Sequence, residues 1–389
     1  MSNPPLLSFV YSFAVPPVFR SPSSNGRPLR VCLVAVGIVL ALALATRALH
    51  GWRAASLPTG NAEWIWKPVD RTDHRPTAFY AVRDFDLESP PFRARLLIAA
   101  DEEYVLTLNG KRIGAGAFVP DAPLDVYEVG PLLLPGGNRL LVELRSGRGT
   151  GGLLASLRDE ASGRQIVGTD GSWRIFPDHD LGLVRGWLPI GSGEPALRWG
   201  LPPVGRWGTP KAGHPRPLLP DETGPPIPAA SMLPFALPAG MTGATGMTET
   251  AGQPVLYDWG RPVEGFLTLD VPPAKELGMG LLFAGDAPPD PLKERPTAAV
   301  LIQPGRHDWT DALPRRFRYA LLVGLERPAA AAILPVSAGL AGSAGSVRRE
   351  PAVRDEVFGI QGPPLRTPVE DEVWSELQRL PGVAGRKKL

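Results

Sequence analysis

The chain has 389 residues, enough for two domains of ordinary size, each with its own core. Its formal net charge of +2 hides an asymmetry, because residues 1–53 hold five arginines and no acid, leaving 36 basic against 39 acidic residues in the remainder. That balance excludes nucleic acid as a partner of the larger part, and a single cysteine excludes both an internal disulfide and a cysteine-based metal site.

Residues 1–28 are rich in proline and serine, with scattered aromatics (Phe9, Tyr11, Phe13, Phe19). They read as a cytoplasmic tail, either solvated or pinned against a partner. Val31 to Ala45 is then an unbroken apolar run, VCLVAVGIVLALALA. A spanning helix wants about 20 apolar residues, and residues 29–53 reach that length if Arg47 snorkels to the far headgroups. Such an anchor would set Val31, Leu33, Ile38, Leu40, Leu42 and Leu44 in lipid and Trp52 at the interface. The arginines before the run predict the N-terminus inside and the bulk outside. A cleaved signal peptide is the competing reading, with Ala43-Leu44-Ala45 as its small-x-small site.

From residue 57 the pattern changes to period two, the mark of half-buried strands. Ala62–Trp66, Thr77–Leu87, Phe92–Ala100 and Tyr104–Leu108 follow in order, and the last runs into Asn109-Gly110, a hairpin turn. Arg112–Gly114 returns. Asp125–Val129, Arg139–Arg145, Leu153–Leu157 and the stretch around Trp173 complete a β-sandwich over residues 57–180. Residues 181–253 are crowded with proline and glycine and read as a connector, its tryptophan-bearing first part lying against a domain surface. Strands resume at Val255–Trp259, Gly265–Val271, Gly278–Phe283, Thr297–Ile302, Phe317–Gly324 and Ala330–Val336, a second β-sandwich over residues 254–338. In the tail, residues 339–389, Pro368 to Leu380 predicts a short helix with Val373, Trp374, Leu377 and Leu380 on one face.

The expected fold class is therefore mainly β: two jelly-roll-like sandwiches after a single N-terminal transmembrane helix. AADEEYVLTLNGKRIG (99–114), DVYEVGPLLLPGGNRLLVEL (125–144), GGLLASL and TDGSWR resemble the N-terminal galactose-binding-like sandwich of bacterial α-L-rhamnosidases. YDWGRPVEGFLTLDV (257–271), PGRHDW and RRFRYALLVG look like the sandwich that precedes the catalytic barrel of those enzymes. The resemblance implies a carbohydrate-related β-architecture and glycan binding at the cell surface; the apolar run and its arginines place that architecture outside a bacterial cytoplasmic membrane. Catalysis in that family belongs to a large (α/α)₆ barrel, and the 51 residues after the second sandwich are far too few to form one. The family's catalytic acids have no counterpart here, so a non-enzymatic protein is expected.

Candidate residues are few. Asp101-Glu102-Glu103 is the densest acidic cluster of the first sandwich, suited to sugar hydroxyls or calcium, but its incomplete set of oxygen ligands favours a solvated loop before a strand. Asn109 and Lys111 at the hairpin tip have donors for a glycan, although the turn already accounts for Asn109. Asp101, Glu103, Asn109 and Lys111 are thus the candidate glycan contacts. Asp258, Glu264 and Asp270 read as surface acids rather than a glycosidase pair, and SGRGTGG (146–152) lacks the spacing of a phosphate loop. No catalytic, metal or cofactor residues are expected. Two functions remain: a membrane-anchored scaffold or accessory subunit contacting lipid and other integral-membrane subunits, or a cell-surface protein binding rhamnose- or galactose-type glycans.

Overall fold

In the computed structural model the described residues are 27–336, except 69–74, 148, 185, 187–188, 237–252, 274, 292, 326–327 and 329. Of the expected tail 1–28, residues 1–26 lie outside them, as does the helix expected at 368–380, while Arg27 and Pro28 already belong to a helix. The chain divides into two units, residues 1–53 and 54–389. In the first, one long helix, α1 (Arg27–Ser56), is apolar all round rather than on one face. Leu33, Ile38, Leu40, Leu42 and Leu44 are each more than half exposed, and Trp52 is 74% exposed. Thr46 hides its hydroxyl by donating to the Ala43 carbonyl at 2.9 Å. The 25 residues Cys32–Ser56 are long and apolar enough to cross a membrane.

The second unit opens with a sandwich of two sheets. One runs β12 (Leu197–Gly200), β1 (Trp64–Trp66), β8 (Gly152–Asp159), β3 (Ala94–Asp101), β6 (Leu124–Glu128), β13 (Ala212–Arg216), with β9 (Gln165–Gly168) also on β8. The other runs β11 (Glu194–Pro195), β10 (Arg174–Phe176), β2 (Thr77–Leu87), β7 (Gly136–Ser146), β4 (Glu103–Leu108), β5 (Lys111–Ala117). Side chains alternate across each strand, so Phe79 and Ala81 of β2 point into the core while Tyr80 and Val82 point out. Ile65, Leu96, Ile98, Leu153 and Leu157 of the first sheet meet Phe79, Leu106, Leu140, Val142 and Leu144 of the second. Each such burial contributes about 1.5–3 kcal/mol. Asn109 and Gly110 take the expected positive φ, 52° and 79°.

The second sandwich is a single hydrogen-bonded network of eight strands: β14 (Ile227–Pro228), β15 (Ser231–Pro234), β16 (Val255–Asp270), β17 (Gly278–Gly285), β18 (Ala298–Ile302), β19 (Asp308–Thr310), β20 (Arg315–Val323) and β21 (Ala330–Pro335). Where the sequence suggests two strands, 255–259 and 265–271, there is one. Its register slips between Asp258 and Val263, and Gly260 at φ 74° turns the chain there. Val255–Asp258 pairs with β15, and Gly265–Asp270 pairs with β21, so β16 carries the chain from one layer to the other. Trp259, Trp309 and Phe317 fill the space between.

Residues 181–253, expected to be a connector, also supply strands. β11, β12 and β13 add edges to the first sandwich, and β14 and β15 add edges to the second. Proline-rich sequence suits edges, where a missing N–H faces away from the ladder.

Candidate functional site

The four candidate glycan contacts are not brought together. Glu103 begins β4 and Lys111 begins β5, with Leu108 opposite Lys111 and Glu103 opposite Ala117. At about 3.3 Å per residue the two ends of this hairpin lie roughly 15 Å apart. Asn109 is occupied by the turn: its Nδ2 donates to the Leu132 carbonyl and to Asn138 Oδ1, both at 3.0 Å, and its Oδ1 accepts from the Arg139 N–H. Lys111 pairs with Asp221 at 2.9 Å. Asp101 is buried and accepts from Arg206 Nε at 2.7 Å and Trp207 Nε1 at 2.8 Å. Among the other acids weighed from sequence, Asp258 binds Arg318 through both oxygens.

Asp101 thereby fixes an aromatic ledge on the outer face of the first sheet. Trp207 stacks on the buried Trp64 with ring centroids 4.5 Å apart, and Trp199 lies 6.5 Å from Trp207. Glycine at 152 leaves room for this stack, since a Cβ there would sit 2.7 Å from both indoles. Trp199 and Trp207 are both partly buried.

A second cluster joins the two sandwiches. Glu143 and Arg145 are two residues apart on β7 and so share the outer face of the second sheet. Glu143 Oε1 accepts from Arg145 Nη2 at 2.8 Å and from Arg306 Nη1 of the second sandwich at 3.1 Å. Arg145 lies over the Trp309 ring and also reaches the Thr310 carbonyl. Arg112 extends the seam, its guanidinium 4.7 Å over the Phe266 ring. Burial alone would raise the Glu143 carboxyl, but Arg306 and Arg145 outweigh it and bring it down to about 2. Beside it Tyr80 meets His179 Nδ1 at 2.8 Å, and burial, then Arg306, lowers the His179 pKa. A carboxylate so held by two arginines stays ionised and is a poor proton donor or acceptor.

One cleft lies where the two sandwiches meet, and it is small. A cleft lined by Glu103, Tyr104, Arg145, Asp311 and Arg315 has about 30 Å³ of free volume, against the 300–1,000 Å³ usual for small-molecule sites. No group of three or more His, Cys, Asp or Glu among the described residues is placed to hold a metal ion.

The chain matches no protein-family model and no curated protein sequence. Solved structures do resemble it. The α-L-rhamnosidase of Dictyoglumus thermophilum shares 18% identity at a TM-score of 0.40, over 68% of this chain and 34% of the enzyme. The α-L-rhamnosidase of Aspergillus terreus shares 16% at 0.42, over 71% of this chain and 36% of the enzyme. A lectin from Pleurotus ostreatus shares 14% at 0.33, over 71% of this chain and 76% of the lectin. The chain thus spans about a third of the rhamnosidases' length, and these are the enzymes its motifs resemble.

Sequence reasoning missed the seam residues because Glu143, Arg145 and Arg306 look like ordinary surface charges within their own segments. One signal was present: Glu143 and Arg145 alternate with Val142 and Leu144 in a strand whose two faces are both buried. It also missed the rim of the first sandwich, where Tyr104 donates to Asp125 Oδ2 at 2.5 Å and lies 3.0 Å from Tyr127, with Arg216 closing on Asp125. Burial raises the Asp125 carboxyl, Arg216 and Tyr104 opposing it.

Proposed function

We propose that this chain is a single-pass membrane protein whose paired sandwiches form a non-catalytic, extracytoplasmic contact module for an integral-membrane assembly. One observation carries the reading: Cys32–Ser56 is a 25-residue apolar helix with none of its central window buried by protein. A helix apolar on every side is stable in lipid and not in water. The arginine excess before it favours an inside N-terminus and sandwiches outside a bacterial cytoplasmic membrane. Supporting a contact role, the buried carboxylate at the seam is committed to arginines, and the seam's cleft is too small for an ordinary substrate. Native electrophoresis of a mild-detergent extract tests it. The reading expects migration well above the 41.6 kDa chain, at fixed stoichiometry; a lone monomer contradicts it.

Glycan binding is the second reading, favoured by the partly buried aromatic cluster of Trp64, Trp199 and Trp207 with Arg206 beside it. Asp101 would then act by positioning Trp207 rather than by touching sugar. A rise in melting temperature with L-rhamnose or galactose, abolished by Trp207→Ala, supports it; no rise with either sugar counts against it.

A further inference from the structure

The second unit shows where the chain that follows α1 joins the first sandwich. Leu57 packs with Ala54 and Leu201, and the next carbonyl, Pro58 O, accepts from Arg158 Nη1 at 2.9 Å. Arg158 is one residue from the end of β8, opposite Arg95 near the start of β3. Arg95 is three residues from Phe92, about 10 Å of strand rise. The tether from the anchor therefore joins the sandwich at the end that carries Phe92.

That end is apolar at its tip. Phe92 is 88% exposed, the most exposed large hydrophobic residue among those described, and Leu134 is 49% exposed. The two turns touch: a Cβ at Gly130 would lie 2.2 Å from the Phe92 carbonyl oxygen, and the 3-10 turn Gly130–Leu132 leads directly to Leu134. Charges behind the tip neutralise one another, with Glu160 held by Arg93 at 3.1 Å and Arg95 at 2.6 Å, and Arg95 reaching Glu128 at 3.5 Å. Isolated exposed apolar residues need no explanation in general. Here an aromatic and a leucine share the end of the sandwich at which the tether joins it.

We propose that the Phe92–Leu134 end of the first sandwich rests on the surface of the bilayer that α1 enters, with the Phe92 ring in the headgroup layer, a proposal that rests on the membrane-anchored reading above. An aromatic ring at that depth is a favoured interfacial anchor. The mutually paired charges suit zwitterionic lipid and do not require anionic headgroups.

The test uses the full chain in phosphatidylcholine proteoliposomes with an environment-sensitive dye on a single cysteine. Three positions are labelled: native Cys32; Ser89→Cys, in a Cys32→Ser background, three residues before Phe92; and Ala122→Cys, in the same background. Ala122 sits at the opposite end of the sandwich, the length of β3 away, about 25 Å. Headgroup-level spin-labelled lipid should remove about half of the Ser89 signal, as for a probe at interfacial depth, and leave the Ala122 signal unchanged. Adding Phe92→Ser and Leu134→Ser should abolish the Ser89 quenching, because both side chains are exposed and their loss leaves the core intact. An unquenched Ser89 label beside a Cys32 label quenched by acyl-chain spin labels overturns this proposal alone. Quenching at neither position overturns the membrane-anchored reading and this proposal with it. Quenching at Ser89 that survives the double serine variant also contradicts the assignment to Phe92 and Leu134.

Discussion

Glu143 holds two buried arginines, and removing it exposes what each would cost alone. Arg145 and Arg306 are both under 10% exposed, so Glu143→Ala removes their shared carboxylate and leaves Arg306 only the longer contact with Asp308 at 3.8 Å, an expected loss of about 3–5 kcal/mol. The pH dependence has a definite sign. The folded pKa of Glu143 lies at about 2, below its ordinary 4.5, so the stabilisation is complete above pH 4.5 and is lost as pH falls toward 2. Its size is on the order of 3 kcal/mol. Glu143→Gln has no proton to gain, so the gap in denaturant midpoint between wild type and this variant should narrow from pH 6 to pH 3. A gap of constant width would mean that Glu143 is not held ionised by the pair.

At the scale of elements, the hairpin β4–β5 shows how much was legible. The sequence marks the turn at Asn109-Gly110 and a return strand over Arg112–Gly114, where alternation gives way to the small residues of Gly114-Ala115-Gly116-Ala117. The strand instead continues to Ala117. The glycines do not end it. They make room, since a Cβ at Gly114 would lie 2.4 Å from Tyr127 Cζ and one at Gly116 would lie 2.4 Å from Asp125 Oδ2 and 2.7 Å from Tyr104. Gly116→Ala should therefore cost about 1–3 kcal/mol through overpacking, read from urea midpoints. Gly191→Ala, with nothing within 4 Å, should change stability by less than about 0.5 kcal/mol. The tyrosines that require these glycines sit 10 or more residues away, so no local pattern announces them. Trp64 was legible as a strand residue for the same reason that its partner Trp207 was not: alternation reads one strand and says nothing of a loop folded back over it. The connector's edge strands were hidden likewise, because their prolines break the alternation while leaving enough donors to pair.

At the scale of the whole molecule, a long apolar helix precedes a unit whose seam is closed by paired charges. The two sandwiches share a buried interface built from the outer face of one sheet and from Phe266 of β16, Trp309 and Thr310 of β19 and Arg306 of the other sandwich. The helix and the mainly β architecture were readable from hydropathy and period. The seam was not, because it joins residues more than 160 positions apart. Whether the apolar helix is retained decides how the rest is used. Carbonate extraction of membranes, followed by N-terminal sequencing of the recovered chain, tests the central claim most directly. The account predicts that the chain stays in the membrane pellet with residues 1–45 attached; recovery in the soluble fraction, beginning at Thr46 or later, would contradict it.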